Sequence, residues 1–378
     1  MKLFCDICPM CALKILQLSS EQSWRGGEQQ IAYLILYLKA QNVDVVVCTR
    51  KNSAFSAWCR EMEIPFYELG FINGADIKSA LKIKKIVKRE GIDIVNAHSG
   101  KSHSLAYLAL RLGMNKPLIV HRRVDFPLKT RGFSLAKYNH KNVKGIVCVS
   151  KAIARLVKRA VENPERVKTV YSGIDPARFS DNKPNGYIHK EFNIDKSKRL
   201  IANISAIAPH KDYQTFLHTA KRVTESRDDC HFLIVGEGNL RHEIQELAKS
   251  LKLTNSVSFT GFRNDIPNLF RELTLFLITS DTEGLGTTVI DSLCNGIPII
   301  ATKAGGIPEL VRDGEEGYLC AIADSECLAE KVNLLLNMEE ERQKMSKKAI
   351  ERAKLFTNEQ MGAGVLEIYR QIKTGSTL

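Results

Sequence analysis

"LTLFLITSDTEGLGTTVIDSLCNGIPIIAT" occupies residues 273–302. Its first eight residues form an apolar run with Leu, Ile and Phe, which suits a strand buried on both faces. "DTEGLG" then breaks the run with two acids and two glycines, the composition of a turn. From about Thr287 the spacing becomes helical, and "IPIIAT" (297–302) is a second buried run. Strand, helix and strand within so short a span make a βαβ unit, whose strands run parallel.

The same grammar extends in both directions. Toward the N-terminus lie "RLIANISA" (199–206), "CHFLIVG" (230–236) and "SVSFTG" (256–261), and toward the C-terminus a short "GYLC" (317–320). A Pro-, Asn- and Asp-rich break, "DPARFSDNKPNG" (175–186), precedes them and reads as a linker. Before it the pattern occurs a first time, with "KILQLS" (14–19), "VDVVVC" (43–48), "IDIVNA" (92–97), "PLIVH" (117–121), "GIVCVS" (145–150) and "VKTVY" (167–171). Helix-period segments such as "GGEQQIAYLILYLKA" separate these runs. The expected fold is therefore α/β, with two Rossmann-like, doubly wound parallel-sheet domains in tandem. Their expected bounds are 1–178 and 179–356. Ligands of such sheets bind beyond the carboxyl ends of the strands, so a cleft between two such domains is the natural site.

A chain of 378 residues is long enough for two cores. No apolar stretch reaches the length of a membrane span, and "MKLFCDICPMCALKILQLSS" is a poor signal peptide because Asp6 and Lys14 interrupt it. A cytoplasmic protein is expected. Ten cysteines in so long a chain do not make a disulfide framework. Cys5, Cys8 and Cys11 are spaced for metal binding, but no fourth ligand is evident, and they read as an irregular N-terminal extension. Charge is uneven. Residues 1–185 hold 31 Lys and Arg against 15 Asp and Glu, a net of +16, whereas residues 186–378 hold 24 against 27, a net of −3. So basic a first half implies an acidic partner: an anionic membrane, a phosphorylated substrate or nucleic acid. The last lacks any recognisable module here.

Candidate site residues lie where strands end. "SEQSWRGGEQQ" (20–30) follows the first strand, and Gly26 and Gly27 open a helix whose free amides suit an anion. His98 ends the third run, where it either faces a ligand or is satisfied by local backbone. "GEGNLR" (236–241) is only a partial imitation of a dinucleotide loop. Lys211 stands just before a helix that Asp212 can cap, well placed to neutralise a phosphate. Glu283 lies in the turn after the strand 273–280, and Asp291 lies one turn into the next helix. Between them the amides of Gly286, Thr287 and Thr288 suit an anion, while carboxylates accept from sugar hydroxyls. Hydroxyl, phosphate and hydroxyl in sequence are the outline of a nucleotide sugar.

With these residues in view, the chain resembles the family-4 glycosyltransferases of GT-B fold along nearly its whole length. The most specific segment is "EGLGTTVIDSLCNGIPIIATKAGGIPELVRDGEEGYL" (283–319); "VSFTGFRNDIPNLF", "VYSGIDPARF", "APHKD" and "SWRGGEQQ" are similar to family segments in the same order. The resemblance implies two domains facing across a cleft and a C-terminal helix, about 357–378, joined to the first domain. It implies retaining transfer of a sugar from a nucleotide sugar, UDP being the commonest nucleotide, to a glycan or glycolipid, as in lipopolysaccharide or other cell-surface polysaccharide synthesis. Carried over, it implies that Glu283 contacts the donor sugar, Asp291 the ribose and Lys211 the diphosphate. Gly286 and Thr287 offer amides, Gly26 and Gly27 close over the diphosphate, His98 lies near the transferred sugar, and the backbone at Phe262 and Arg263 holds the base. No metal and no cofactor are expected, since the chain has no D-x-D and Lys211 with the helix amides can stabilise the leaving group. Two departures stand out: Ala206 where the family often has Arg, and Asp291 where it has Glu.

Clustered charge in "IKSALKIKKIVKRE" (77–90) and "HRRVDFPLKTRGFSLAKYNHKNVK" (121–144), interleaved with Phe126, Phe133 and Tyr138, implies contact with an anionic membrane surface or a phosphorylated glycolipid. A solvated helix face has the same composition. A nucleotide-sugar epimerase of the same fold and a non-catalytic nucleotide-sugar sensor remain as alternatives. Donor sugar, acceptor and oligomeric state are not legible.

Overall fold

Thirteen strands of short, mostly apolar sequence organise the computed structural model, which describes residues 13–128, 132–179 and 184–376. Cys5, Cys8 and Cys11 lie outside the described residues. Seven strands form the first sheet: β1 (Lys14–Leu18), β2 (Asp44–Arg50), β3 (Phe66–Leu69), β4 (Ile94–Ala97), β5 (Leu118–Arg122), β6 (Val143–Cys148) and β7 (Val167–Thr169). Six form the second: β8 (Arg199–Ile204), β9 (Cys230–Val235), β10 (Val257–Gly261), β11 (Leu273–Ile278), β12 (Ile299–Thr302) and β13 (Gly317–Cys320).

Every pairing is parallel, and the orders are β3-β2-β1-β4-β5-β6-β7 and β10-β9-β8-β11-β12-β13. Apart from the extra β7 edge, both follow the doubly wound 3-2-1-4-5-6 order. Parallel strands need helical crossovers on both faces, which is why their inward runs are apolar without alternation. The second sheet's central strands show it: β9 is buried at all six positions, and β8 at five of six. One strand escapes the sequence reading. Phe66–Leu69 is a sheet edge, three of its four residues are only half-buried, and Glu68 interrupts the apolar pattern.

The chain forms two units, Met1–Gly173 with Asn358–Leu378, and Ile174–Thr357. In the first, the C-terminal helix Asn358–Thr374 packs on the helix Gly26–Ala40. Its Val365, Leu366 and Tyr369 are buried with Ile15, Ile31 and Leu34 in one apolar cluster. Each such side chain contributes about 2 kcal/mol on burial. Gln30 ends this unit by holding Gly173 at both backbone groups: Nε2 donates to the carbonyl at 2.6 Å, and Oε1 accepts from the amide at 2.9 Å. In the second unit the two chain crossings lie side by side, since the Ile174 N–H donates to the Phe356 carbonyl at 3.0 Å. Among the described residues a single local disulfide, Cys320–Cys327, joins the end of β13 to the first turn of the helix Ser325–Asn337; Cys48, Cys59, Cys148, Cys230 and Cys294 are free thiols. Among the described residues no helix is long and apolar enough to cross a membrane.

Candidate active site

In the second sheet the order reverses between β8 and β11, and a topological switch point of this kind opens a crevice at the strand ends. The loops leaving these two strands carry Lys211 and Glu283. After β8 the chain makes a short 3-10 turn, Pro209–Lys211. Asp212 then takes a left-handed conformation, φ +44°, and caps the helix Tyr213–Ser226 by accepting from the Thr215 N–H at 3.1 Å. Thr279, just past β11, donates its hydroxyl to the carbonyls of Lys211 and Asp212 at 3.2 and 2.9 Å, and the Asp281 N–H donates to the His210 carbonyl at 3.1 Å. The two loops are thus bound together by their backbones. Their side chains meet too: Lys211 Nζ is paired with Glu283 Oε2, each side chain being 14% exposed. Ser280 Oγ adds a 3.4 Å hydrogen bond to the same oxygen.

Glu283 is held from below by the "AGG" loop. The Gly306 N–H donates to the Glu283 carbonyl at 3.0 Å. Gly305 has φ +49°, and a Cβ there would lie 1.8 Å from that carbonyl oxygen, so only glycine fits. Gly286, also left-handed at φ +91°, precedes the helix Thr287–Cys294, and no side chain caps its first amides. Thr287 opens this helix, so its amides are open to a ligand anion.

Asp291 lies on the same helix and is only 8% exposed. Its Oδ1 is buried without a hydrogen-bond partner. Burial pushes its carboxyl up to about 7, against an opposing pull from Arg178. A buried acceptor left open is costly unless something fills it, which marks Asp291 as incomplete without a donor group.

Phe262 is 71% exposed. Arg263 is already engaged: its guanidinium forms paired bonds to Glu191 at 2.7 and 3.0 Å and to Asp265 at 2.8 and 2.7 Å. These bonds hold Asp265 down at about 2. Only the backbone of Arg263 is free for a ligand role. The "GEG" loop has a packing reason instead of a dinucleotide one, since Cβ atoms at Gly236 and Gly238 would each lie 2.0 Å from the carbonyls of Ser205 and Ile207. Ala206 is exposed between those two residues.

The first unit has its own switch point, between β1 and β4. Gly26 and Gly27 begin the helix after β1; Arg25 precedes them without a side-chain cap. Trp24 packs against Phe55 and Trp58, with ring centroids 5.7 and 5.9 Å away, and anchors the loop. His98, just past β4, is buried, 6% exposed, and its ring is satisfied by side chains instead of backbone. Arg123 donates to Nδ1 at 3.1 Å and Nε2 meets Gln17 Oε1 at 2.6 Å, which places the ring proton on Nε2. Burial, then the nearby His121 and Arg123, keep His98 well below the usual imidazole range and so neutral. Sequence reasoning did not find Arg123. "HRRVDF" reads as surface charge, and the clue is its place at the end of the run "PLIVH". Among the described residues no group of three His, Cys, Asp or Glu is placed to hold a metal ion.

Comparison with known proteins gives the family. The model for glycosyltransferase family 4 matches residues 24–178, and that for glycosyl transferases group 1 matches 186–352. The N-acetyl-alpha-D-glucosaminyl L-malate synthase of Bacillus anthracis is 28% identical over 73% of this chain and 74% of its own length. An Escherichia coli UDP-Gal:alpha-D-GlcNAc-diphosphoundecaprenol alpha-1,3-galactosyltransferase is 25% identical over 66% of this chain and 67% of its own. In fold, the chain is similar to HepE of Anabaena, solved with UDP and glucose, at a TM-score of 0.83 and 20% identity, covering 95% of this chain and all of that one. With matched family models on both units and the doubly wound order in both sheets, the chain belongs to the family-4 glycosyltransferases, enzymes of GT-B fold.

Proposed function

We propose that this glycosyltransferase moves a sugar from a nucleotide sugar, a UDP-sugar, to a glycan or glycolipid acceptor, with retention of configuration and without a metal ion. The observation that carries the proposal is the Lys211–Glu283 pair at the switch point of the second sheet, beside the uncapped helix start at Gly286 and Thr287. The ammonium and the carboxylate satisfy one another. A donor offers each a partner: its diphosphate takes Lys211 and the amides of Gly286 and Thr287, and its sugar hydroxyls take Glu283. Asp291 accepts from the ribose, and the backbone at Phe262 and Arg263 holds the base. Departure of the nucleoside diphosphate builds negative charge, which preorganised donors stabilise. The sugar becomes oxocarbenium-like, and the acceptor attacks from the face the phosphate leaves, giving it its proton. In the first unit, Gly26, Gly27 and the neutral His98 belong to the same reaction.

The relative acting, by its name, on a diphosphoundecaprenol-linked sugar supports a lipid-borne acceptor. So does the surface of the helix Ile77–Arg89. Ile77 and Leu81, with nearby Ile72, are exposed beside Lys78, Lys82 and Lys85, and Phe126 and Phe133 are exposed elsewhere on the same unit. Apolar side chains among lysines suit an anionic membrane surface, each lysine adding about 1 kcal/mol there. The proposed place of action is the inner face of the cytoplasmic membrane, in cell-surface glycan synthesis.

A thermal-shift panel of nucleotide sugars tests the donor: one should raise the melting temperature, and none doing so would sink the proposal. Product NMR then separates transfer with retention from release of a free epimerised sugar. Vesicle flotation tests the surface. Binding should favour anionic over neutral lipid and fall on K82E/K85E; equal flotation on both lipids removes the membrane.

A further inference from the structure

Arg123 follows β5 and is only partly exposed, and its Nε is fully buried with no hydrogen-bond partner. A guanidinium has five donors. Here one goes to His98 Nδ1 at 3.1 Å. Among the described residues no carboxylate lies within ion-pair distance of Arg123; Glu28 acts on it only from farther away and is itself bonded to Ser19 Oγ at 3.3 Å. What lies beneath Arg123 is a neutral floor. His98 and His121 face one another with ring centroids 4.5 Å apart, and Asn96 Nδ2 lies 3.1 and 3.2 Å from their Nε2 atoms. Tyr369 of the C-terminal helix closes the network beside Asn96. Burial alone pushes Arg123 down to about 10, and both imidazoles lie well below their usual range.

A buried cation is costly unless an opposite charge meets it. A fold that used Arg123 only as a strut would place a carboxylate against it. An uncharged imidazole instead takes one guanidinium bond, with a second imidazole, His121, behind it, and leaves the charge unpaired. The side chain also runs along the first turn of the helix Gly26–Ala40, since a Cβ at Gly27 would lie 3.9 Å from Arg123 Cδ. The guanidinium stem and the start of that helix therefore lie side by side; the Glu28 amide is taken by its own carboxylate, and a guanidinium with no acid in ion-pair distance calls for negative charge.

We propose that Arg123, oriented by His98, forms an oxyanion site in the first unit that takes a phosphate or carboxylate group of the acceptor. The inference rests on the glycosyltransferase function above and narrows its acceptor to an anionic one. In such a reaction the donor's diphosphate carries the same chemistry, so the test must separate the two sources.

The experiment uses the full chain in a Lys211→Ala background, which silences the phosphate position of the second unit. The probes are glycerol 3-phosphate and UDP, read by thermal shift, on variants carrying Arg123→Gln or Arg123→Lys. Without ligand, the Arg123→Gln variant should melt at or above its parent, because an unpaired buried charge is gone. Its apparent affinity for glycerol 3-phosphate should fall roughly ten- to hundred-fold, with partial retention in Arg123→Lys. A lower melting temperature together with an undiminished glycerol 3-phosphate response overturns the proposal, since Arg123 is then a strut. Should only the UDP response fall, the occupant is the donor, and the acceptor assignment is overturned. If Arg123→Gln fails to fold, Arg123→Lys with an unchanged response to both probes is equally fatal. A wild type that answers glycerol 3-phosphate but no nucleotide sugar refutes the proposed function and leaves this site standing.

Discussion

The two sheets share a strand order and place their functional loops at the same reversal, but they handle charge in opposite ways. In the second unit Lys211 and Glu283 neutralise one another across the switch point. In the first, Arg123 is bonded to the neutral His98 and, among the described residues, meets no acid within ion-pair distance. The net charges of +16 for residues 1–185 and −3 for 186–378 carry the same contrast to the surface. On the proposed function, a self-paired site would open for a ligand that supplies both an anion and hydroxyls, because each partner must be compensated when the pair parts. A cation without a paired acid would ask only for an anion. One architecture would then yield a selective site and a permissive one.

The strongest way to break this contrast is to remove Lys211. Lys211→Ala should lower kcat by roughly a thousand-fold, the scale of losing a donor aimed at developing charge. It should also destabilise the ligand-free protein by about 1–3 kcal/mol, because Glu283 is left mostly buried and alone. Adding Glu283→Gln should restore part of that stability without restoring turnover. A double variant no more stable than the single would show that the pair is not coupled.

Gly305→Ala strikes the support under Glu283. The new Cβ cannot coexist with the Glu283 carbonyl, and the left-handed backbone adds strain. A loss of about 3 kcal/mol in denaturant unfolding is expected, with weaker donor binding. An unchanged midpoint would mean that the loop moves freely and does not position the acid.

Asp291 gives a pH signature of its own. Its carboxyl titrates at about 7 in the folded chain and near 3.9 when unfolded. Between those values the folded state holds the extra proton, so the stability this group contributes is full below about pH 4 and is lost as pH rises through 7. Donor binding runs the other way, since the ionised acid accepts hydroxyls, and affinity should climb several-fold from pH 6 to 8. Asp291→Asn should flatten both slopes, and Asp291→Glu should tighten binding. An Asp291→Ala variant with unaltered donor affinity would remove the ribose assignment. The smallest effect belongs to Phe262→Ala. With the side chain mostly in solvent and the backbone proposed to hold the base, stability should stay within about 0.5 kcal/mol, and donor affinity should barely change.

Much of this was legible in the sequence, for physical reasons. Buried parallel strands are apolar along their whole length, so β8, β9 and β11 declare themselves. Edge strand β3 does not, because half of it meets solvent. Thr287 was readable as a helix start because a glycine turn precedes a change of period, and Asp212 as a cap because a short acid stands before an apolar helix. The pairing of Lys211 with Glu283 was not readable. It joins residues 72 apart in sequence and depends on β8 and β11 being neighbours. Arg123 was hidden for a related reason: nothing in "HRRVDF" distinguishes an arginine over two buried imidazoles from one in water. The service of Gly305 to Glu283 was equally hidden, because it depends on the close approach of two loops that are 22 residues apart in sequence.

Tyr369 is fully buried in the first unit, although in sequence it lies beyond the whole of the second. The first unit therefore lacks part of its core until the helix Asn358–Thr374 has been made, while the second, Ile174–Thr357, is contiguous and complete earlier. Synthesis order and folding order are inverted: the segment made first matures last. Nascent chains halted after Thr357 should accordingly protect the second unit from protease and leave the first open to cleavage.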